Sequence, residues 1–112
     1  MNEKFRAPIR QVIELLVARK YSELEALTNG VRLNGLAMAN AIMDYGRQLV
    51  LPPNEAFELM DVVAVRNAHP SRWSVTMPLW TKEEGRSDLS LDVTLIEADK
   101  DFKIELDNIH VP

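Results

Sequence analysis

Along the first fifty residues the apolar positions recur with a helical period. Phe5, Ile9, Val12, Ile13, Leu16 and Val17 follow an i, i+3, i+4, i+7 spacing, with Arg6, Arg10, Glu14 and Arg19 on the opposite side. This predicts a helix over about residues 4–19, with Pro8 in its first turn, where a missing N–H costs little. Ser22 and Glu25 have the S-x-x-E form of a capping box, which predicts a short second helix ending at Asn29-Gly30. Asn34 can cap a third, in which Leu36, Ala39, Ile42 and Met43 form the expected buried stripe and Ala37 and Ala41 permit close approach. Gly46 is placed to end it. Leu49-Val50-Leu51 is too short for a helix, and Pro52-Pro53 enforces an extended connector.

From Asp61 the period becomes two. Val63 and Val65, then Trp73, Val75, Met77 and Leu79, then Leu89, Leu91, Val93 and Leu95, then Phe102, Ile104 and Leu106 alternate with polar neighbours, predicting four strands. Turn chemistry separates them at residues 67–71, 82–87 and 98–101. Links this short imply an antiparallel meander. Its apolar face needs covering, and only the helices can supply the cover. The expected fold is therefore α+β, with N-terminal helices on one face of a four-stranded antiparallel meander, loosely cystatin-like or NTF2-like. A shift of apolar parity between Leu106 and Ile109 predicts a bulge near Asp107-Asn108, and Pro78 predicts an edge or an irregularity within its strand.

Composition narrows the possibilities. At 112 residues, with 46% hydrophobic and 27% charged, the chain has the size of a single domain, with a helical layer over residues 1–50 and a strand layer over 57–112. The absence of cysteine removes disulfides, thiolate nucleophiles and cysteine-ligated metals. No signal sequence or membrane span is evident, so a cytoplasmic location is the expectation. The net charge of −4 is uneven: residues 1–50 carry seven basic and five acidic groups, residues 51–112 six and twelve. An acidic strand layer repels phosphate backbones, which argues against direct nucleic-acid binding and favours a basic protein as partner.

Candidate chemistry is sparse. His69 precedes Pro70 in a turn and reads as a solvated loop residue. Asp107 and His110 could form a carboxylate–imidazole pair, but no nucleophile motif accompanies them, and a histidine that anchors the last strand is the simpler reading. Asp99 and Asp101 lack the glycine and distal glutamate of a calcium loop, and no glycine pattern suits a phosphate loop; neither metal nor cofactor is expected. The densest stretch is Leu79-Trp80-Thr81-Lys82-Glu83-Glu84-Gly85-Arg86-Ser87-Asp88-Leu89. It reads as a charged hairpin turn in which Gly85 takes a positive φ, Arg86 pairs with Glu83 or Asp88, and Trp80 covers the strand end.

That stretch, together with Leu106-Asp107-Asn108-Ile109-His110-Val111, resembles a family of small uncharacterised bacterial domains sharing LWT-x-EEGRSDL and a closing D-x-[IL]-H-V. Ser90 and Asn108 stand where that family more usually has threonine and aspartate. The resemblance implies no assigned activity. It does set Glu83, Glu84, Arg86, Asp88, Asp107 and His110 apart from ordinary surface charges, either as a site or as the means of fixing strand register.

Two functions follow as expectations. The first is a non-catalytic protein-binding module, with toxin-neutralising immunity proteins as the concrete case, contacting its partner through Trp80, Glu83, Glu84, Arg86, Asp88 and Asp92. The alternative is a small-molecule or enzymatic pocket between helices and sheet, lined by Tyr45, Trp73, Trp80, Asp107 and His110. Catalysis is the less expected of the two. A homodimer formed through Met60, Met77 and Ile96 is a third arrangement the pattern permits.

Overall fold

A computed structural model describes residues 3–112. Three helices, α1 (Glu3–Val17), α2 (Tyr21–Thr28) and α3 (Gly35–Tyr45), precede the strands β1 (Leu49–Val50), β2 (Asp61–Ala64), β3 (Arg72–Thr81), β4 (Gly85–Ala98) and β5 (Asp101–His110). A 3₁₀ segment, Asn54–Leu59, lies between β1 and β2. The fold is α+β, helices followed by an antiparallel sheet. That sheet has five strands rather than four, because Leu49-Val50 pairs with Trp80 and Thr81 instead of serving only as a connector.

Residues β2 to β5 form the expected meander, and β1 and β2 lie end to end along the same edge of β3. Val65 donates to the Arg72 carbonyl and Lys82 to that of Gln48, so the even-numbered residues of β3 direct their backbone groups toward this edge. Met77, Pro78 and Leu79 pair with neither short strand. The residue that cannot donate thus sits at the seam between them, where no neighbouring strand requires a donor.

Packing sets the helices' outcome. α1 buries Phe5, Ile9, Val12, Ile13 and Leu16 against the sheet's inner face of Val75, Met77, Leu91, Val93, Leu95, Ile104 and Leu106. Pro8 falls in its second turn rather than its first, so the Lys4 carbonyl lacks its helical donor. Its C-terminus closes with Lys20 N–H bonded to the Leu15 carbonyl and Arg19 N–H to that of Leu16, with Arg19 left-handed at φ 59°. Ser22 lies inside α2 and caps nothing; Glu25 instead accepts the Gly35 N–H at the start of α3.

The phase of α3 differs from expectation. Asn34 caps it by accepting the Ala37 N–H at 2.8 Å, and Gly46 ends it with φ 75°. However, Met38 is the fully buried apolar residue, whereas Leu36 is 71% and Met43 73% exposed. Gly35 explains this: a Cβ there would lie 3.1 Å from the Tyr21 carbonyl oxygen, so α3 crosses α2 at that residue and turns the Gly35–Met38 face inward. A similar one-residue parity governs β2. Val62 lies opposite Val75 and faces the core, which leaves Val63 opposite Ser74 and exposed; Val65, just beyond the strand, is exposed as well. The 3₁₀ segment buries Ala56 and Phe57, with Arg10 stacked over the Phe57 ring at 4.9 Å and bonded to Asn54 at 2.8 Å.

Candidate functional site

The β3–β4 connection uses most of its polar side chains on itself. Thr81 pairs with Gly85, so the turn proper is Lys82-Glu83-Glu84, and Gly85 closes it at φ 73°. The Glu84 N–H donates to Thr81 Oγ1 at 3.0 Å, and the Thr81 hydroxyl donates to Glu84 Oε1 at 3.2 Å. Tyr45, at the end of α3, donates its hydroxyl proton to Glu84 Oε2 at 2.8 Å and accepts the Asp88 N–H at 3.3 Å. Desolvation, then the Glu84 carboxylate, raises the Tyr45 pKa above its ordinary value. Glu83 accepts the Gln48 N–H at 3.0 Å, a bond that lowers its carboxyl pKa.

Beyond the turn, the ladder breaks. Pro78 pairs with Ser90 and Trp80 with Arg86, so Leu79 alone faces Ser87, Asp88 and Leu89. Inserted into this bulge is the buried Ser87 hydroxyl, which donates to the Leu79 carbonyl at 2.7 Å and accepts the Leu89 N–H at 3.1 Å. Neither backbone group is left orphaned. Register is thereby held by Thr81, Glu83, Glu84 and Ser87. Arg86 pairs with neither Glu83 nor Asp88; among the described residues both Arg86 and Asp88 keep exposed side chains without an ion pair.

These two exposed side chains border a groove of about 520 Å³ on the sheet face away from the helices, with Asp61, Thr76, Pro78 and Ser90 on its floor and walls. Along the same face, His110 Nε2 lies 2.8 Å from Asp92 Oδ2, diagonally across β4 and β5. Asp92, and not Asp107, is therefore the partner of His110. Asp107 is the extra residue of the second bulge, between the Asp92–Asn108 and Val93–Leu106 pairs. Its Oδ2 accepts the Thr94 hydroxyl at 2.6 Å, while its buried Oδ1 has no hydrogen-bond partner and only the Arg32 guanidinium at 3.9 Å. Burial raises the Asp107 pKa despite the Thr94 bond.

The five residues expected to line one pocket are dispersed. Tyr45 and His110 border a shallow depression of about 370 Å³ with Ala41 and Ile109. Trp73 lies instead in an aromatic cluster, its ring centroid 5.2 Å from Phe5 and 5.8 Å from Phe102, with the Lys4 ammonium 4.8 Å away. Trp80 is half-buried against the core. Met60, Met77 and Ile96, the candidate dimer contacts, are buried within the chain. His69 is exposed in its turn, and among the described residues no three His, Asp or Glu side chains gather to hold a metal. The sequence places Ser87 in the turn stretch expected to fix register but assigns the pairing to Arg86; the neutral Ser87 hydroxyl makes the bonds instead.

A family model described as "Domain of unknown function (DUF7668)" matches residues 13–112, which include every residue of this face. The chain belongs to the DUF7668 family. Searches of curated proteins and of solved structures returned no match. For this DUF7668 domain the geometry of the sheet face is accordingly the source of any functional reading. No helix among its described residues is long and apolar enough to cross a membrane.

Proposed function

We propose that the chain is a non-catalytic protein-binding module that receives a basic partner on its open sheet face, with an immunity-type protein neutralising a basic toxin as the specific case. One observation carries the reading. Among the described residues Arg86 and Asp88 take no ion pair, and of the charged side chains of the β3–β4 stretch these two border the groove of the open face. Asp61 shares that groove and Asp92 lies along the same face, which supports a cationic partner; exposed Leu59 and Val111 add apolar contact at its rim. Glu83 and Glu84 are held by the turn, Trp80 is half-buried against the core and Asp92 is paired with His110, so the contact set contracts to Arg86 and Asp88.

Affinity capture from the native host tests this, with wild type and Asp88→Lys as matched baits. The expected result is a basic protein retained by wild type at low salt and lost at least tenfold on Asp88→Lys, with melting temperature unchanged. Equal recovery on both baits, or no stable partner on either, overturns the proposal.

A further inference from the structure

We propose that the helical layer carries a second docking surface, a shallow apolar groove beside α3 with a basic rim, which takes an acidic amphipathic helix from a partner protein. This surface is separate from the sheet-face reading and does not depend on it. Leu36, Ala39 and Met43 form an i, i+3, i+7 stripe on α3, and the two larger members are more than two-thirds exposed. Ala39, Ile42 and Met43 line a concavity of about 410 Å³ whose charged lining residues are Arg19 and Arg47, with no carboxylate among them. Arg47 reaches Glu84 only at 3.9 Å and keeps half its side chain exposed.

Arg19 supplies an independent observation. It occupies the left-handed residue that terminates α1, where glycine is the residue of lowest cost, yet a long cationic side chain stands there on the groove's rim. Backbone strain is retained where a side chain is placed to meet something.

The chemistry selects one occupant. A helix presenting apolar anchors at i, i+3, i+4 and i+7 fills a groove of this form, and carboxylates flanking those anchors would meet Arg19 and Arg47. A second copy packing α3 against α3 would instead bring two arginine pairs together, a like-charge arrangement that costs affinity. A concave surface also suits inserted side chains better than a lipid headgroup plane.

The probe is a displayed library of helical peptides about four turns long, with leucine fixed on one face and glutamate, lysine or glutamine randomised beside it. Selection on the full chain is expected to enrich glutamate. The best peptide should bind at least tenfold more weakly to Met43→Glu and to the double variant Arg19→Glu, Arg47→Glu. Arg19→Gly should raise the melting temperature by about 4 °C while weakening the peptide, a combination a purely structural arginine would not give. Asp88→Lys should leave peptide binding unchanged, so failure of the sheet-face reading leaves this one standing. An unenriched library, equal enrichment of lysine, or peptide binding lost on Asp88→Lys overturns the proposal. So does a dimer that Met43→Glu converts to monomer, or sedimentation of the chain with phosphatidylglycerol vesicles that the same substitution abolishes.

Discussion

The β3–β4 connection and helix α3 invert the usual assignment of roles. In the first, threonine, glutamate and serine are structural; in the second, leucine and methionine face solvent. The difference arises from what each backbone demands. A helix satisfies its own interior hydrogen bonds, so its side chains are free to be placed by tertiary contact, and the Gly35 crossing directs Met38 inward and Met43 outward. A turn followed by a wide bulge leaves donors and acceptors unmatched near the core, and polar side chains must complete them.

The sharpest test of that contrast compares two methionines on one helix. Met38→Ala should cost about 3 kcal/mol in chemical denaturation, and Met43→Ala less than about 0.5 kcal/mol. Similar losses at both positions would mean that α3 is rotated from the phase described. Next in size is Ser87→Ala. It leaves the Leu79 carbonyl and the Leu89 N–H without partners in a buried bulge, and a loss of about 2 kcal/mol is expected from the same measurement. A change below about 0.5 kcal/mol would show that the bulge repairs itself by re-pairing the strands.

The smallest expected effect distinguishes the bulge on β4 from the bulge on β5. The Ser87 bulge is fully bonded, whereas the bulge at Asp107 contains an unpartnered carboxylate oxygen. Burial raises the folded-state pKa of Asp107 above its ordinary value of 3.8, so the native state binds the proton more tightly than the unfolded chain. Stability from this group is therefore greatest below the ordinary value and declines as pH rises through the folded one. Asp107→Asn keeps an acceptor for Thr94 and should stabilise the chain at pH 7, by less than about 1 kcal/mol, given a partly exposed side chain. It should also remove that decline from stability measured as a function of pH. A destabilised Asp107→Asn would instead make the Arg32 contact the dominant interaction of this carboxylate.

Much of the architecture was legible in the sequence because periodicity reports directly on burial. The inner faces of β3, β4 and β5, the buried face of α1 and the Asp107 bulge all follow from apolar periodicity or its failure. The losses have a common origin in long-range contact. Val63 and Val65 alternate as well as any buried pair, but register against Ser74 and Arg72 decides which face they occupy. Leu49-Val50 is too short to show a period, and β1 exists because β3 offers it an edge. At the site, the sequence singled out the Leu79–Leu89 stretch but could not divide it, since Glu84 and Asp88 are equivalent as letters. Tyr45 separates them, by bonding the side chain of one and only the backbone of the other.

The seam between β1 and β2 has a consequence for life at high concentration. A bare sheet face invites stacking, and the ordinary route from stacking to fibrils is the templated addition of strands at a long unpaired edge. Here the chain folds two short segments of itself onto that edge of β3 and leaves only a short gap around a proline, which offers no amide hydrogen to an incoming strand. On this side of the sheet the protein denies its own copies a place to begin polymerising while keeping one broad surface available; the opposite edge is formed by β5.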